Sequence, residues 1–135
     1  MYTSVMEKLR GRYHLVGFFF VMVTVFLTVY GQLVVKWQIQ SLEDPLPPLF
    51  IDKVIFVFRQ YLNPWIVSAL FAAFLASASW LVVLTQLELS VAYPFTSLAF
   101  VLVLILSAIF FGEAFTLTKV VGTLIILIGL IVIVK

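Results

Sequence analysis

Residues 15–36 read LVGFFFVMVTVFLTVYGQLVVK, and this stretch decides the fold. Leu15–Val35 is free of charge and close to the ~20 residues that cross a ~30 Å hydrocarbon core at ~1.5 Å per residue. Thr24, Thr28, Gln32 and Lys36 recur every fourth position along it. On a helix that spacing draws one polar stripe down one side. Polar groups inside a bilayer cost free energy unless they face protein or water, so a stripe ending in a cation marks a path or a site. Lys8, Arg10 and Arg12 precede the run, as in a secretory signal. The run is too long for a signal core, however, and lacks a small-x-small cleavage site.

The rest of the chain is of the same kind. Of its 135 residues 64% are apolar and 10% charged, and mean hydropathy is +1.25, whereas a soluble domain is roughly half apolar. The length suits one domain, residues 1–135. Three further apolar stretches cover Pro64–Leu87, Val91–Phe111 and Leu117–Val134. The last is short and rich in β-branched residues that would favour a strand in water. Lipid forces a helix, because backbone groups must be satisfied within the segment. The expected fold class is therefore an all-α membrane protein with four transmembrane helices.

The linkers are unequal. Glu88-Leu89-Ser90 and Gly112–Thr116 are so short that they imply tight antiparallel hairpins. The first linker, Trp37–Asn63, is long and broken by Pro45, Pro47 and Pro48. After it, Ile51, Val54, Ile55, Phe58 and Leu62 recur at helical spacing, with Asp52, Lys53, Arg59 and Gln60 between them. That pattern reads as a short interfacial helix on the membrane surface, or as a loop folded over the bundle mouth. Four spans put both termini on one side. Lys8, Arg10, Arg12 and Lys135 on that side balance Lys36, Lys53, Arg59 and Lys119 on the other. The positive-inside rule thus does not fix the orientation by count, although the compact basic N-terminus favours termini in the cytoplasm. A balanced count is also what a chain inserting in both orientations would show. The expected location is the plasma (inner) membrane, as a multi-pass protein.

Composition excludes several function classes. The chain has no cysteine, which removes disulfides and thiolate metal sites. Its net charge of +2 does not suit nucleic acid. No carboxylate pair, nucleophile–base pair, phosphate-cradling glycine loop or metal-ligand spacing is present. The lone His14 reads as an interfacial histidine at the mouth of the first span. An enzyme is not expected, nor a cofactor or metal. A transport role or a structural membrane role remains.

The later spans add candidates. Ser68, Ala69, Ala72, Ala73, Ala76, Ser77, Ala78 and Ser79 give the second span a small face, which permits close helix packing or leaves room for a substrate. Trp80 lies on the same broad face and either walls a cavity or fills one. The third span opens Ser90-Val91-Ala92-Tyr93-Pro94. A helix begun by Val91 leaves a carbonyl near Ser90 without its donor. A helix begun at Pro94 instead aims the N–H groups of Phe95, Thr96 and Ser97 outward, suited to an anion. Tyr93 and Ser97, four apart, could extend the polar surface of Gln32, with interfacial anchoring as the alternative for Tyr93. Glu88 and Glu113 lie in the short turns, solvated or capping, with Glu113 near the positive end of the last helix. Gly122 and Gly129 share a face of the fourth span, for a crossing within the monomer or between two copies. Four helices enclose little volume, so a cavity for a large substrate calls for a second subunit.

Two motifs carry a family resemblance. Gly31-Gln32-Leu33-Val34-Val35-Lys36 and, much later, Ala92-Tyr93-Pro94-Phe95-Thr96-Ser97-Leu98 resemble the four-helix, EamA-like members of the drug/metabolite transporter superfamily. The greatest similarity is to the small subunits of the aminoarabinose-phosphoundecaprenol flippase, with their Gly-Gln-Leu-x-x-Lys and Ala-Tyr-Pro-x-x-Ser-Leu patterns. Gly112-Glu113 and the Gly122/Gly129 span fit as well, so all four spans are covered, without the long linker or the N-terminal extension. The resemblance implies a small multidrug resistance-like bundle, working as a homodimer or a heterodimer with a similar subunit. It also implies a flippase for a polyprenyl-phosphate-linked sugar, or another anionic lipid, used in cell-envelope glycan or lipid A modification. Lys36 would then attract the phosphate, together with Arg59 or the third-span helix start. Gln32, Thr28, Tyr93 and Ser97 would hydrogen-bond the sugar beside Trp80. The alternatives are an exporter of a small metabolite or drug, and an accessory subunit of a larger membrane complex. Small multidrug resistance exporters use a glutamate three residues before the glycine matching Gly31, and here that position is Thr28. A cationic drug would also meet Lys36, where like charges repel.

Overall fold

The computed structural model describes residues 2–42 and 47–134, with side chains from 15 to 42 and from 47 to 132. Pro45 therefore lies outside the described residues, as do the side chains of Lys8, Arg10, Arg12, His14 and Lys135. Every described element is helical: α1 Tyr2–Gln40, α2 Phe50–Gln60, α3 Pro64–Gln86, α4 Leu89–Thr96, α5 Leu98–Phe111 and α6 Leu117–Val134. Three stretches are long and apolar enough to cross a membrane: Leu15–Gln40, Pro64–Gln86 and Leu89–Phe111, the last combining α4 and α5. A shorter apolar helix follows at Leu117–Val132. The outer surface agrees, for Phe74 and Ile109 are both 68% exposed. Water would penalise such a surface, and lipid does not.

The apolar run at residue 15 is not where α1 begins. The helix continues outward to Tyr2 and past the span to Gln40, so the first linker is shorter than the composition suggests. α2 occupies the stretch expected to be amphipathic. None of its residues is buried and it shares no extensive interface with the other helices, which speaks against a loop folded over the bundle mouth.

The largest interface joins α1 to α3. Val21, Val25 and Val29 of α1 are buried in one file, and α3 answers with Ala69, Ala72, Ala76, Ser79 and Val83 at alternating three- and four-residue steps. Lipid supplies no hydrophobic drive between helices, so close approach of small side chains has to hold this contact. Two glycines mark where it is tightest. A Cβ on Gly31 would sit 3.3 Å from the Ala69 carbonyl oxygen, and one on Gly17 would sit 2.7 Å from Cγ of Leu87. Gly17→Val is therefore expected to destabilise the fold by about 1–3 kcal/mol through overpacking. A thermal-unfolding midpoint in detergent equal to that of the wild type would refute this.

Local chemistry sets the helix ends. Asn63 Oδ1 accepts the Trp65 N–H at 2.9 Å and Pro64 takes the first helical position of α3. Gly112, at φ +63°, ends α5 in the left-handed region, its N–H donating to the Ser107 carbonyl. The third span resolves the choice posed by Pro94. The helix starts at Leu89 with Pro94 inside it, so the carbonyl of Ser90 forgoes its usual donor. The interruption falls at Ser97, whose N–H reaches Pro94 O at 3.2 Å while its own carbonyl accepts from the Phe100 N–H at 2.9 Å. The anion-binding helix start at Phe95–Ser97 is thus not formed, because Ser97 N–H is already committed and the other two lie within α4.

Candidate functional site

α1 presents two adjacent stripes. The valine stripe enters the interior, and the stripe three positions further on, Thr24, Thr28, Gln32 and Lys36, faces an open groove of about 980 Å³ between α1 and α3. α3 supplies the other wall with Ala69, Ala73, Ala76 and Ser77, and Trp80 at one end. The small residues of the second span thus serve both readings of them. Ala72 and Ala76 are buried in packing, and Ala73 and Ser77 leave room in the groove.

The polar groups are not equivalent. The Thr24 hydroxyl donates to Phe20 O at 2.9 Å and lies 3.5 Å from Ala76 O, so it serves its own helix and the α1–α3 contact. Thr28 and Gln32 show no such bond among the described residues, which leaves a hydroxyl and an amide available to a ligand. Lys36 Nζ forms an ion pair with the Glu113 carboxylate and sits 4.8 Å from the centroid of the Phe111 ring. The side chains of Lys36 and Glu113 are 33% and 38% exposed. Among the described residues, Lys36 is the one charged side chain lining the groove.

The short last turn suggests that Glu113 meets the dipole of the final helix, and the structure corrects this. α6 begins only at Leu117 and has no acidic residue in its first turn, and the glutamate points to Lys36 instead. The sequence does contain a clue to this. The first and third spans run in the same direction, so their ends share one side of the membrane.

The remaining candidates lie elsewhere. Tyr93 is exposed and packs edge-on against Trp80 at 5.4 Å between ring centroids, so it adjoins the groove without lining it. Ser97 is 5% exposed and its hydroxyl donates to Pro94 O at 2.5 Å. It borders a separate 460 Å³ cleft lined from α6 by Leu127, Leu130 and Ile131. Arg59 lies on α2, outside the groove lining. Gly122 and Gly129 face open space, with no atom within 4 Å of where a Cβ would stand. The crossing expected at this face is not made inside the chain. Among the described residues no cluster of metal-ligand type occurs.

Comparison with known proteins fixes the relationship. The chain is 36% identical over 110 residues to a Serratia proteamaculans (strain 568) protein named "Probable 4-amino-4-deoxy-L-arabinose-phosphoundecaprenol flippase subunit ArnF", which covers 78% of this chain and 82% of the relative. The chain belongs to this flippase-subunit family. A Yersinia pestis (strain Pestoides F) relative, correspondingly named as subunit ArnE, is 35% identical over 105 residues, covering 78% of this chain and 84% of its own. No family model and no solved structure matches. Similarity to both kinds of subunit, with its long apolar helices, makes the chain a multi-pass membrane protein of a transport family.

Proposed function

We propose that this chain is a subunit of a flippase that moves a polyprenyl-phosphate-linked aminosugar across the inner membrane. The observation that carries the reading is the groove itself: one cation and free hydrogen-bonding groups set in an otherwise apolar wall. Moving such a lipid requires a phosphate and several hydroxyls to pass hydrocarbon, at a cost of several kcal/mol for each polar group left unpaired. Lys36 compensates the phosphate through a charge-assisted contact. Gln32 and Thr28 exchange hydrogen bonds with the sugar beside Trp80, and Tyr93 offers its hydroxyl from the edge. The polyprenyl tail stays in lipid, which the open groove permits. Arg59 on α2 lies on the Lys36 side and attracts the headgroup to the mouth. Ser97 supports the span interruption more directly than the ligand. Removal of the sugar on the far side drives net transport.

In this reading residues 1–135 form one domain of four antiparallel spans, a small multidrug resistance-like bundle with its termini in the cytoplasm. Its relatives are named as subunits, which supports pairing with a similar chain across the bare Gly122/Gly129 face. Gly122→Trp is expected to abolish that pairing while leaving the α1–α3 interface intact. Cross-linking in membranes would expose the error if the dimer band persisted.

The test of function is reconstitution. Vesicles carrying 4-amino-4-deoxyarabinose-phosphoundecaprenol are treated with an impermeant amine-reactive reagent. The chain, alone or with its partner subunit, is expected to expose the inner-leaflet pool to labelling. If neither arrangement does so, the flippase reading fails.

A further inference from the structure

In the resting structure the charge in the groove is already answered. Glu113 holds Lys36 from the α5–α6 turn, so a phosphate can take the lysine only by displacing the glutamate. Displacement is feasible on three counts. The pair is about one-third exposed on each side, and ion pairs with access to solvent are held weakly. A Cβ on Gly112, beside Glu113, would meet nothing within 4 Å, so no side chain packs over that side of the turn to hold the glutamate in place. The Phe111 ring, 4.8 Å from Lys36 Nζ, attracts a cation there independently of the anion paired with it.

Charge balance decides which headgroup displaces it well. A headgroup with an anion alone would satisfy Lys36 but bring its own negative charge close to the displaced Glu113 carboxylate, and like charges at that range repel. A headgroup carrying an anion and a cation can enter the ion pair and replace one bridge with two. We propose that Glu113 is the residue that makes the groove select zwitterionic headgroups, its carboxylate taking the ammonium of an aminosugar while Lys36 takes the phosphate. Discrimination then comes from a penalty on the wrong ligand as much as from a contact with the right one. This rests on the lipid-phosphate reading of the groove and adds to it a reason for the amine.

The experiment uses the full chain in nanodiscs, with two short-chain polyprenyl phosphodiesters as probes. One bears 4-amino-4-deoxyarabinose and the other its N-acetylated form, and binding is read by quenching of tryptophan fluorescence. The wild type is expected to bind the amine probe about tenfold more tightly, the size of one charged hydrogen bond. Glu113→Gln is expected to narrow the preference to about twofold or less and to bind the N-acetyl probe better than the wild type does, because Lys36 is no longer occupied. Glu113→Asp, which keeps the charge, should retain most of the preference. Glu113→Ala replaces the glutamine variant in the comparison should that variant not fold. Equal binding of the two probes by the wild type, or an unchanged preference in Glu113→Gln, would overturn the role of Glu113 and leave the phosphate reading standing. Binding of neither probe by the wild type would overturn both.

Discussion

Lys36→Ala is expected to lower translocation of a polyprenyl-phosphate-linked sugar about ten- to a hundredfold, the range set by losing one charge-assisted contact. Among the described residues Lys36 is the one cation in the groove lining, so no described neighbour there can substitute for it. The substitution also frees Glu113, which would then repel the phosphate and deepen the loss. Assembly should be little affected, because the pair is partly exposed and such pairs contribute about 0–1 kcal/mol to stability. Lys36→Arg keeps the charge and should retain much of the activity. Translocation by Lys36→Ala at the wild-type rate, measured in vesicles with matched protein content, would remove the lysine from the mechanism.

Ala73→Trp should have an effect of similar size by a different route. Ala73 lines the groove opposite the polar stripe and is exposed, so an indole there fills the space a sugar would occupy. Crowding of this kind costs about 1–3 kcal/mol, hence a drop in binding of roughly five- to a hundredfold. The melting temperature should stay within the range of surface substitutions. Ala72, one residue earlier, is 4% exposed and points into the helix interface. Ala72→Trp should therefore unfold the bundle rather than block it. A groove that mattered little would show Ala73→Trp transporting normally, and an interface that mattered little would show Ala72→Trp melting normally.

The two alanines also show how far the sequence could be read. Periodicity places Thr24, Thr28, Gln32 and Lys36 on one side of a helix, and the structure keeps them on one wall. It cannot divide the small residues of α3 between packing and cavity, because both need the same side chains and only the crossing of α1 separates them. The Lys36–Glu113 pair spans 77 positions, and no local pattern links residues so far apart. Pro94 leaves two helix starts open, since proline is tolerated in a first turn and also in an interrupted membrane helix. Ser97 falls in step with Tyr93, but its hydroxyl bonds back to Pro94 O, an option open to any serine in a helix. The ends of α1 are hidden because the polar residues beyond the span carry no apolar signal, although they too form helix.

The last helix has a consequence of another kind. α6 packs on α4, touches α5 only slightly, and turns both of its glycines toward empty space. On the proposed pairing, such a segment would gain further stability by mass action when a mate arrives. The amount of mature subunit would then follow the supply of its mate, and surplus copies, with the glycine face of α6 uncovered, would be the ones open to proteolysis. Matched numbers of the two chains could thus arise from selective survival, with no need for matched synthesis.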